Sequence, residues 1–291
     1  MKLSIVIVSY NTRDALSACL RSLSADSMPT HEVFVVDNAS SDGSAAMIRD
    51  EFPRIELIEN DENRGFGSAN NQAIERATGD YVLFLNSDAS LEPPGLARLI
   101  ASLDTDATIG AAGPQLIDAQ GHLEPSWGND ATLWRSFVDM VRRRLLDRRV
   151  SLTESWLRWR SRAARDVDWL SGACLLSRRT LLKRIGGFDP RFFLYMEDVD
   201  LCRRLREAGF RVRFDPSVRV PHIRGLSTRS NDDAAERARV EGIRSRLEFF
   251  RKYRPGFEAG LYRAYLRWRR PRFRTETARK AFEDLIHRPE P

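Results

Sequence analysis

Apolar residues in the first third of this chain gather in short runs, each closed by a polar residue. Leu3 to Ser9, Glu32 to Asp37, Ile55 to Ile58 and Tyr81 to Leu85 are such runs. Tyr81 to Leu85, five apolar residues in a row, suits a strand buried on both faces of a parallel sheet, and the other runs read as further strands. Between the first two, Ala15, Leu16, Cys19, Leu20 and Leu23 share one side of a helix over 12–23. Helices are also expected through Ile48, through Ala77 and around Leu96–Leu103, with a further strand near Ile109–Gly113. Strands alternating with helices imply βαβ units and a largely parallel sheet.

The pattern then changes. Residues 127–168 lack strand character and set Trp127, Trp134, Trp156 and Trp159 among arginines, with Phe137, Met140, Val141 and Leu145 at helical spacing. A helical insertion is expected there. A strand over Leu170–Leu176, a helix over Arg179–Ile185, a helix from Glu197 to about Ala208 and a short strand over Ser217–Val220 complete the body.

The polar residues that close the runs carry the candidate chemistry. Ser9-Tyr10-Asn11, Asp37-Asn38, Asn63-Arg64-Gly65 and Asn86-Ser87-Asp88 each lie just past a strand or at a helix start. In an open α/β sheet such ends converge on one ligand crevice. Strand one is not followed by Gly-x-Gly-x-x-Gly, and the chain has no Gly-Lys-Ser/Thr loop, which argues against hydride transfer and P-loop chemistry. Asp37 can accept the imide N–H of a uracil or thymine, and Arg64 can meet a phosphate. Asp88 can hold a divalent cation and through it a phosphate, or simply cap a turn. Glu197, Asp198 and Asp200 open a helix, where acids complement the dipole. Three of them beside Phe192-Phe193-Leu194-Tyr195 exceed what capping needs.

Composition narrows the class. The 291 residues allow one large α/β domain with appendages. Cys19, Cys174 and Cys202 are odd in number and far apart, which fits a reducing compartment and argues against a disulfide framework. The apolar run at the start is short and ends in Tyr10-Asn11-Thr12, so a first strand is expected rather than a signal peptide. The net charge of +6 is uneven. Residues 127–168 carry ten arginines against six acids, and 228–291 carry 17 basic residues against ten acids. Within the latter, Leu261, Tyr262, Tyr265, Leu266 and Trp268 lie among arginines, which suits a helix at an anionic interface. The same interleaving suits nucleic acid, a rival reading that leaves the acidic strand ends unexplained.

Taken in order, Ser-Ile-Val-Ile-Val-Ser-Tyr-Asn (4–11), Val-Val-Asp-Asn-Ala-Ser-Ser-Asp-Gly-Ser (35–44), Asn-Arg-Gly-Phe (63–66) and Phe-Leu-Asn-Ser-Asp (84–88) resemble the family 2 inverting glycosyltransferases. Trp169-Leu-Ser-Gly-Ala-Cys, Gly186-Gly-Phe-Asp, Tyr195-Met-Glu-Asp-Val-Asp-Leu-Cys-Arg-Arg and His222-Ile-Arg-Gly extend the likeness to about residue 227. The subset most similar contains bacterial rhamnosyltransferases and galactofuranosyltransferase-like enzymes of surface polysaccharide synthesis.

The resemblance implies an α/β GT-A fold over 1–227, with a nucleotide-binding half to about 115 and an acceptor-binding half beyond it. Residues 228–291 become a basic helical appendage. It implies a nucleotide-diphosphate sugar donor such as dTDP-rhamnose or a UDP-sugar, a glycan or lipid-linked acceptor, and Mg²⁺ or Mn²⁺. Asp88 and His222 would hold the metal. Ser9, Tyr10, Asn11, Asp37, Asn38, Asn63, Arg64, Gly65 and Asn86 would line the nucleotide. Asp198 would be the catalytic base, with Glu197, Asp200, Trp169 and Gly172 on the acceptor side or supporting it. Asn86 departs from the Asp-x-Asp form common in such enzymes, and a neutral amide is the weaker ligand. The expected location is cytoplasmic, peripheral on the inner face of the cell membrane.

Overall fold

The computed structural model describes residues 2–23, 31–135, 151–223, 232–269 and 271–287, together with 138, 141 and 145. The apolar runs form β1 (Leu3–Ser9), β2 (His31–Asp37), β3 (Glu56–Glu59) and β4 (Tyr81–Leu85), linked by α1 (Arg13–Ser22), α2 (Ser44–Glu51) and α3 (Phe66–Arg76). After α4 (Pro93–Thr105) comes β5 (Ile109–Ile117), longer than the pattern indicated. All four opening strands run parallel, in the order β3-β2-β1-β4.

Period-two alternation sorts their side chains between two cores. Ile5, Ile7, Val35, Leu83 and Leu85 face Leu16, Leu20, Met47 and Ile48 of α1 and α2, and Leu96 and Leu99 of α4. Val6, Phe34, Val36, Val82 and Phe84 face Ala69, Ala73 and Ile74 of α3. A sheet covered on both faces is why these strands read as continuous apolar runs.

Beyond β5 the expectations need correcting. Residues 127–168 are not wholly helical. They contain β6 (Trp127–Gly128) and β7 (Arg165–Asp166) as well as α5 (Ser151–Arg160). Phe137 and Met140 lie outside the described residues, while Val141 and Leu145 are helical. The strand expected over 170–176 is two. β8 (Trp169–Leu170) pairs with β6, a turn follows at 171–173, and β9 (Cys174–Arg178) enters the main sheet antiparallel, between β4 and β5. After α6 (Arg179–Arg184) and α7 (Glu197–Glu207), β10 spans Arg211–Pro221 rather than its last few residues. It runs parallel to β5, and β7 closes that edge. Arg211 and Arg213 disguised this strand as loop, yet both pair with Asp166.

The C-terminal fifth forms α8 (Asp232–Tyr253), α9 (Gly256–Arg269) and α10 (Glu276–His287). Val240, Leu247, Leu266, Phe282 and Ile286 make their common core. A second cluster joins Phe249, Phe250 and Ala259 to Phe192, Met196 and Val199 of the body. Among the described residues no helix is long and apolar enough to cross a membrane.

Candidate active site

The crevice is built from strand ends fastened to one another. At the end of β1, the Asn11 Oδ1 accepts the Ser41 N–H at 2.8 Å, and the Asn11 N–H donates to Ser40 Oγ at 2.9 Å. The Ser9 and Thr12 hydroxyls lie 3.0 Å apart, and Thr12 is 2.9 Å from Ser87 beyond β4. Ser9 is thus buried and engaged, and the ends of β1 and β4 share one hydroxyl chain.

Asp37 closes β2. Its Oδ2 accepts the Ser40 N–H at 3.0 Å, while its Oδ1 is buried without a protein partner. An unpaired buried carboxylate oxygen is costly, so such an acceptor is a natural seat for a ligand N–H. Asn38 has a different place. Its amide nitrogen donates to Asn63 Oδ1 and to the Gly65 carbonyl, and its oxygen accepts from Asn60 Nδ2 and the Arg64 N–H. With 2% exposure, Asn38 ties the 60–65 loop to β2, and Asn63 caps that loop through the Gly65 N–H. Arg64 stands exposed in the loop. Gly65 has φ +79°, and a Cβ there would sit 2.4 Å from the Phe193 carbonyl oxygen. Only glycine permits both the conformation and the approach.

Past β4, the imidazole of His222 stands between two carboxylates. Its Nδ1 is 2.9 Å from Glu124 Oε2, and its Nε2 is 3.3 Å from Asp88 Oδ1 and 3.3 Å from the Asn86 amide. Burial would favour the neutral ring, but hydrogen bonds to Asp88 and Glu124, with their charges, push its pKa up to about 9. Sequence reasoning missed Glu124. It lies in the loop after β5, brought to His222 because Glu124 and His222 return to neighbouring carbonyls of β5, Leu116 and Ile117.

The acids of α7 part company. Glu197 and Asp200 are buried, and Asp198 is the most open of the three. Asp198 Oδ2 accepts the Gly172 N–H at 3.1 Å, and Oδ1 accepts the Val199 N–H at 2.8 Å. The next residue along, Ala173, accepts the Asn86 N–H at 2.9 Å. One short turn therefore joins Asp198 to the strand end that bears Asp88. Trp169 flanks it, its indole N–H donating to the Asn129 carbonyl. Gly172 has no room to spare, since a Cβ would lie 3.2 Å from the Phe66 ring.

Comparisons with known proteins identify the family and the fold. The family model "Glycosyl transferase family 2" covers residues 4–195. The chain belongs to that family. An N-acetylglucosaminyl-diphospho-decaprenol L-rhamnosyltransferase of Mycobacterium tuberculosis is 32% identical over 78% of this chain and 77% of its own length. Rhamnosyltransferase WbbL of Escherichia coli is 26% identical over 78% of this chain and 85% of its own. A Pyrobaculum calidifontis mannosyltransferase, solved with GDP-Man and Mn²⁺, superposes with a TM-score of 0.55 at 21% identity, over 97% of this chain and 73% of that one. This family 2 glycosyltransferase has the GT-A fold and works on nucleotide sugars. Nothing in the comparisons supports the nucleic-acid alternative.

Among the described residues no group of three or more His, Cys, Asp or Glu converges as a protein-only metal cage. The donor set of this glycosyltransferase fits a metal shared with substrate. Asp88 would supply an oxygen to Mg²⁺ or Mn²⁺, and His222 Nε2, once a metal displaces its proton, a nitrogen better suited to Mn²⁺, with water and phosphate oxygens filling the other positions. Glu124 would then hold the Nδ1–H, as the second partner of a ligating histidine usually does.

The buried acids also have a physical account. Burial, then the charge of Asp198, raises the Glu197 pKa well above the carboxylate range, and its Oε2 has no partner. Asp200 meets Arg204 at 2.7 Å, Lys252 at 2.6 Å and the Tyr253 hydroxyl at 2.7 Å. Lys252 and Tyr253 belong to α8, so that helix braces the first turn of α7. Ser245 adds a bond to the Leu194 carbonyl, and Gly242 packs on the Tyr195 ring. Between these contacts Tyr195 and Met196 both adopt positive φ, at 66° and 70°. Strain of that kind persists only where surrounding contacts over-determine it.

Proposed function

We propose that this glycosyltransferase moves a sugar, with inversion, from a nucleoside-diphosphate donor to a hydroxyl of a glycan or lipid-linked acceptor. Relatives named as rhamnosyltransferases favour dTDP-rhamnose over a UDP-sugar as donor. The observation that carries the reading is Asp198, half-open at a helix start, oriented by the Gly172 N–H and joined through Ala173 to the Asn86–Asp88 strand end.

Asp37 Oδ1 accepts the imide N–H of the donor base. Asp88 and His222 hold a divalent metal, oriented by Glu124. When bound, Mg²⁺ or Mn²⁺ neutralises charge on the departing diphosphate. Asp198 takes the proton of the acceptor hydroxyl as that oxygen attacks the anomeric carbon from the face opposite the leaving group. Burial of Glu197 disfavours its charged form, which lessens the negative charge beside Asp198. The acceptor lies along Trp169, and the enzyme works at the cytoplasmic face of a membrane when that acceptor is lipid-linked.

The test is a donor screen. Acceptor-dependent nucleotide release is measured from dTDP-rhamnose, UDP-galactofuranose, UDP-glucose and UDP-N-acetylglucosamine, alongside calorimetric binding of the matching nucleoside diphosphate with Mn²⁺ and with chelator. Release from one donor and metal-dependent binding are expected. Equal binding in chelator removes the metal assignment, and no release from any donor removes the reaction.

A further inference from the structure

Most of the basic charge on the C-terminal helices is spent internally. Lys252 pairs with Asp189 and Asp200, Arg254 with Asp130, Arg237 with Asp233, Arg244 with Glu241 and Arg251 with Glu248. Helix α9 is different. Ala259, Arg263 and Leu266 form its buried side. Phe257, Leu261, Ala264 and Trp268, spaced i, i+4, i+7 and i+11, form a second stripe that faces outward. Phe257 is 64% exposed, Leu261 52% and Trp268 80%. Trp134, 72% exposed, joins the same end of the helix, since the Leu133 N–H donates to Glu258 Oε2 at 3.1 Å. Exposed apolar side chains aligned this way mark an interaction surface.

We infer that this face of α9 docks the enzyme on an anionic lipid surface. Arg269, with Arg272 just beyond, is exposed beside the stripe, while Arg267 reaches back to the Ile286 carbonyl and the one acid of α9, Glu258, is engaged by Leu133. Large apolar side chains bordered by arginine are what an interfacial helix presents to anionic headgroups. A second copy of the chain fits less well, because a two-fold pairing of this face sets arginines against arginines. Position agrees. On its inner side α9 contributes Ala259 and Tyr262 to the cluster that holds Trp169, Phe192, Met196 and Val199, so the outward stripe lies one helix away from the acceptor side. The inference rests on the reading of a lipid-linked acceptor.

Co-flotation with phosphatidylglycerol-containing vesicles, against pure phosphatidylcholine, tests it. The wild type is expected to float with the anionic vesicles and less as salt rises. Phe257→Ser with Leu261→Ser and Trp268→Ser abolishes flotation. Arg269→Gln with Arg272→Gln weakens it about 30-fold, from roughly 1 kcal/mol per arginine at such a surface. Nucleoside-diphosphate binding, measured in parallel, stays unchanged in both variants. Flotation that is absent, equal on neutral vesicles or indifferent to the arginine pair overturns the inference. So does a concentration-dependent dimer that the serine variant dissolves. An enzyme that floats yet transfers sugar equally well to a water-soluble acceptor keeps the docking face and removes the lipid-linked acceptor.

Discussion

At the nucleotide end of the crevice, Asn38 exchanges hydrogen bonds with Asn60, Asn63, Arg64 and Gly65, which lie 22 to 27 residues away. On the other side, Asp200 meets Lys252 and Tyr253 across 52 and 53 residues, and His222 meets Glu124 across 98. The first network joins neutral groups of adjacent strand ends. The second joins charges carried by elements from distant parts of the chain. Adjacent parallel strands bring their own loops together, so the first network comes with the topology. The second depends on helices and a returning strand that the sheet alone does not place.

The difference in charge predicts the largest effect. Asp200→Ala leaves Arg204 and Lys252 facing an emptied buried site, and loss of one partner of a buried pair costs about 3 kcal/mol or more. Asn38→Ala breaks neutral bonds and is expected to cost less, about 1–3 kcal/mol. Urea denaturation of both variants checks the order, and an Asn38 loss equal to that of Asp200 erases the distinction between the two ends.

Asp198→Asn separates chemistry from bracing. It keeps the shape and removes the basicity, so turnover should fall at least about 10²-fold while donor affinity holds. Near wild-type turnover, or a loss traced wholly to donor binding, removes Asp198 as base.

Glu124→Gln acts one step from the metal. An outer partner of a ligating histidine is worth about tenfold or more in metal affinity, so Mn²⁺-supported binding of nucleoside diphosphate should weaken by about that factor. Unchanged calorimetric affinity would sink the role given to Glu124.

The smallest effect lies in the nucleotide half. Burial alone would raise the Glu32 pKa, but hydrogen bonds from Ser4, the Thr78 N–H and Lys2 outweigh it and lower the value to about 2. A depressed folded-state pKa gives stability that is present above the ordinary value of 4.5 and is lost as pH falls toward 2. Glu32→Gln should therefore narrow its gap from wild type across that window. A gap that stays constant from pH 6 to pH 2 argues against the linkage.

The same contrast explains what could be read from sequence. Strands β1, β2 and β4 were legible because two covered faces demand apolar residues at every position, as in Tyr81–Leu85. Asp37 and Asp88 were legible as the residues that stop those runs. Glu124 was not, since nothing near it in sequence announces His222. The two strands at Trp127–Gly128 and Arg165–Asp166 are too short to show a period. The positive φ of Asn11, Ala39, Tyr195 and Met196 leaves no glycine to mark it. The split of the 170–176 stretch turns on Ser171 and Gly172, which a strand-seeking eye passes over. The first turn of α7 was legible as three acids, but which of them stays open depends on α8, some fifty residues later.

That dependence on α8 bears on how such enzymes diverge. Asp130, Asp189 and Asp200 belong to the catalytic body, while Arg254, Lys252 and Tyr253 belong to the tail. Body and tail are thus matched like two sides of an interface within one gene. A tail borrowed from a relative brings new counter-charges to three fixed aspartates, and a chimera is expected to hold its α7 turn only when those partners travel with it. The inner faces of the terminal helices are therefore tied to the three aspartates of the body.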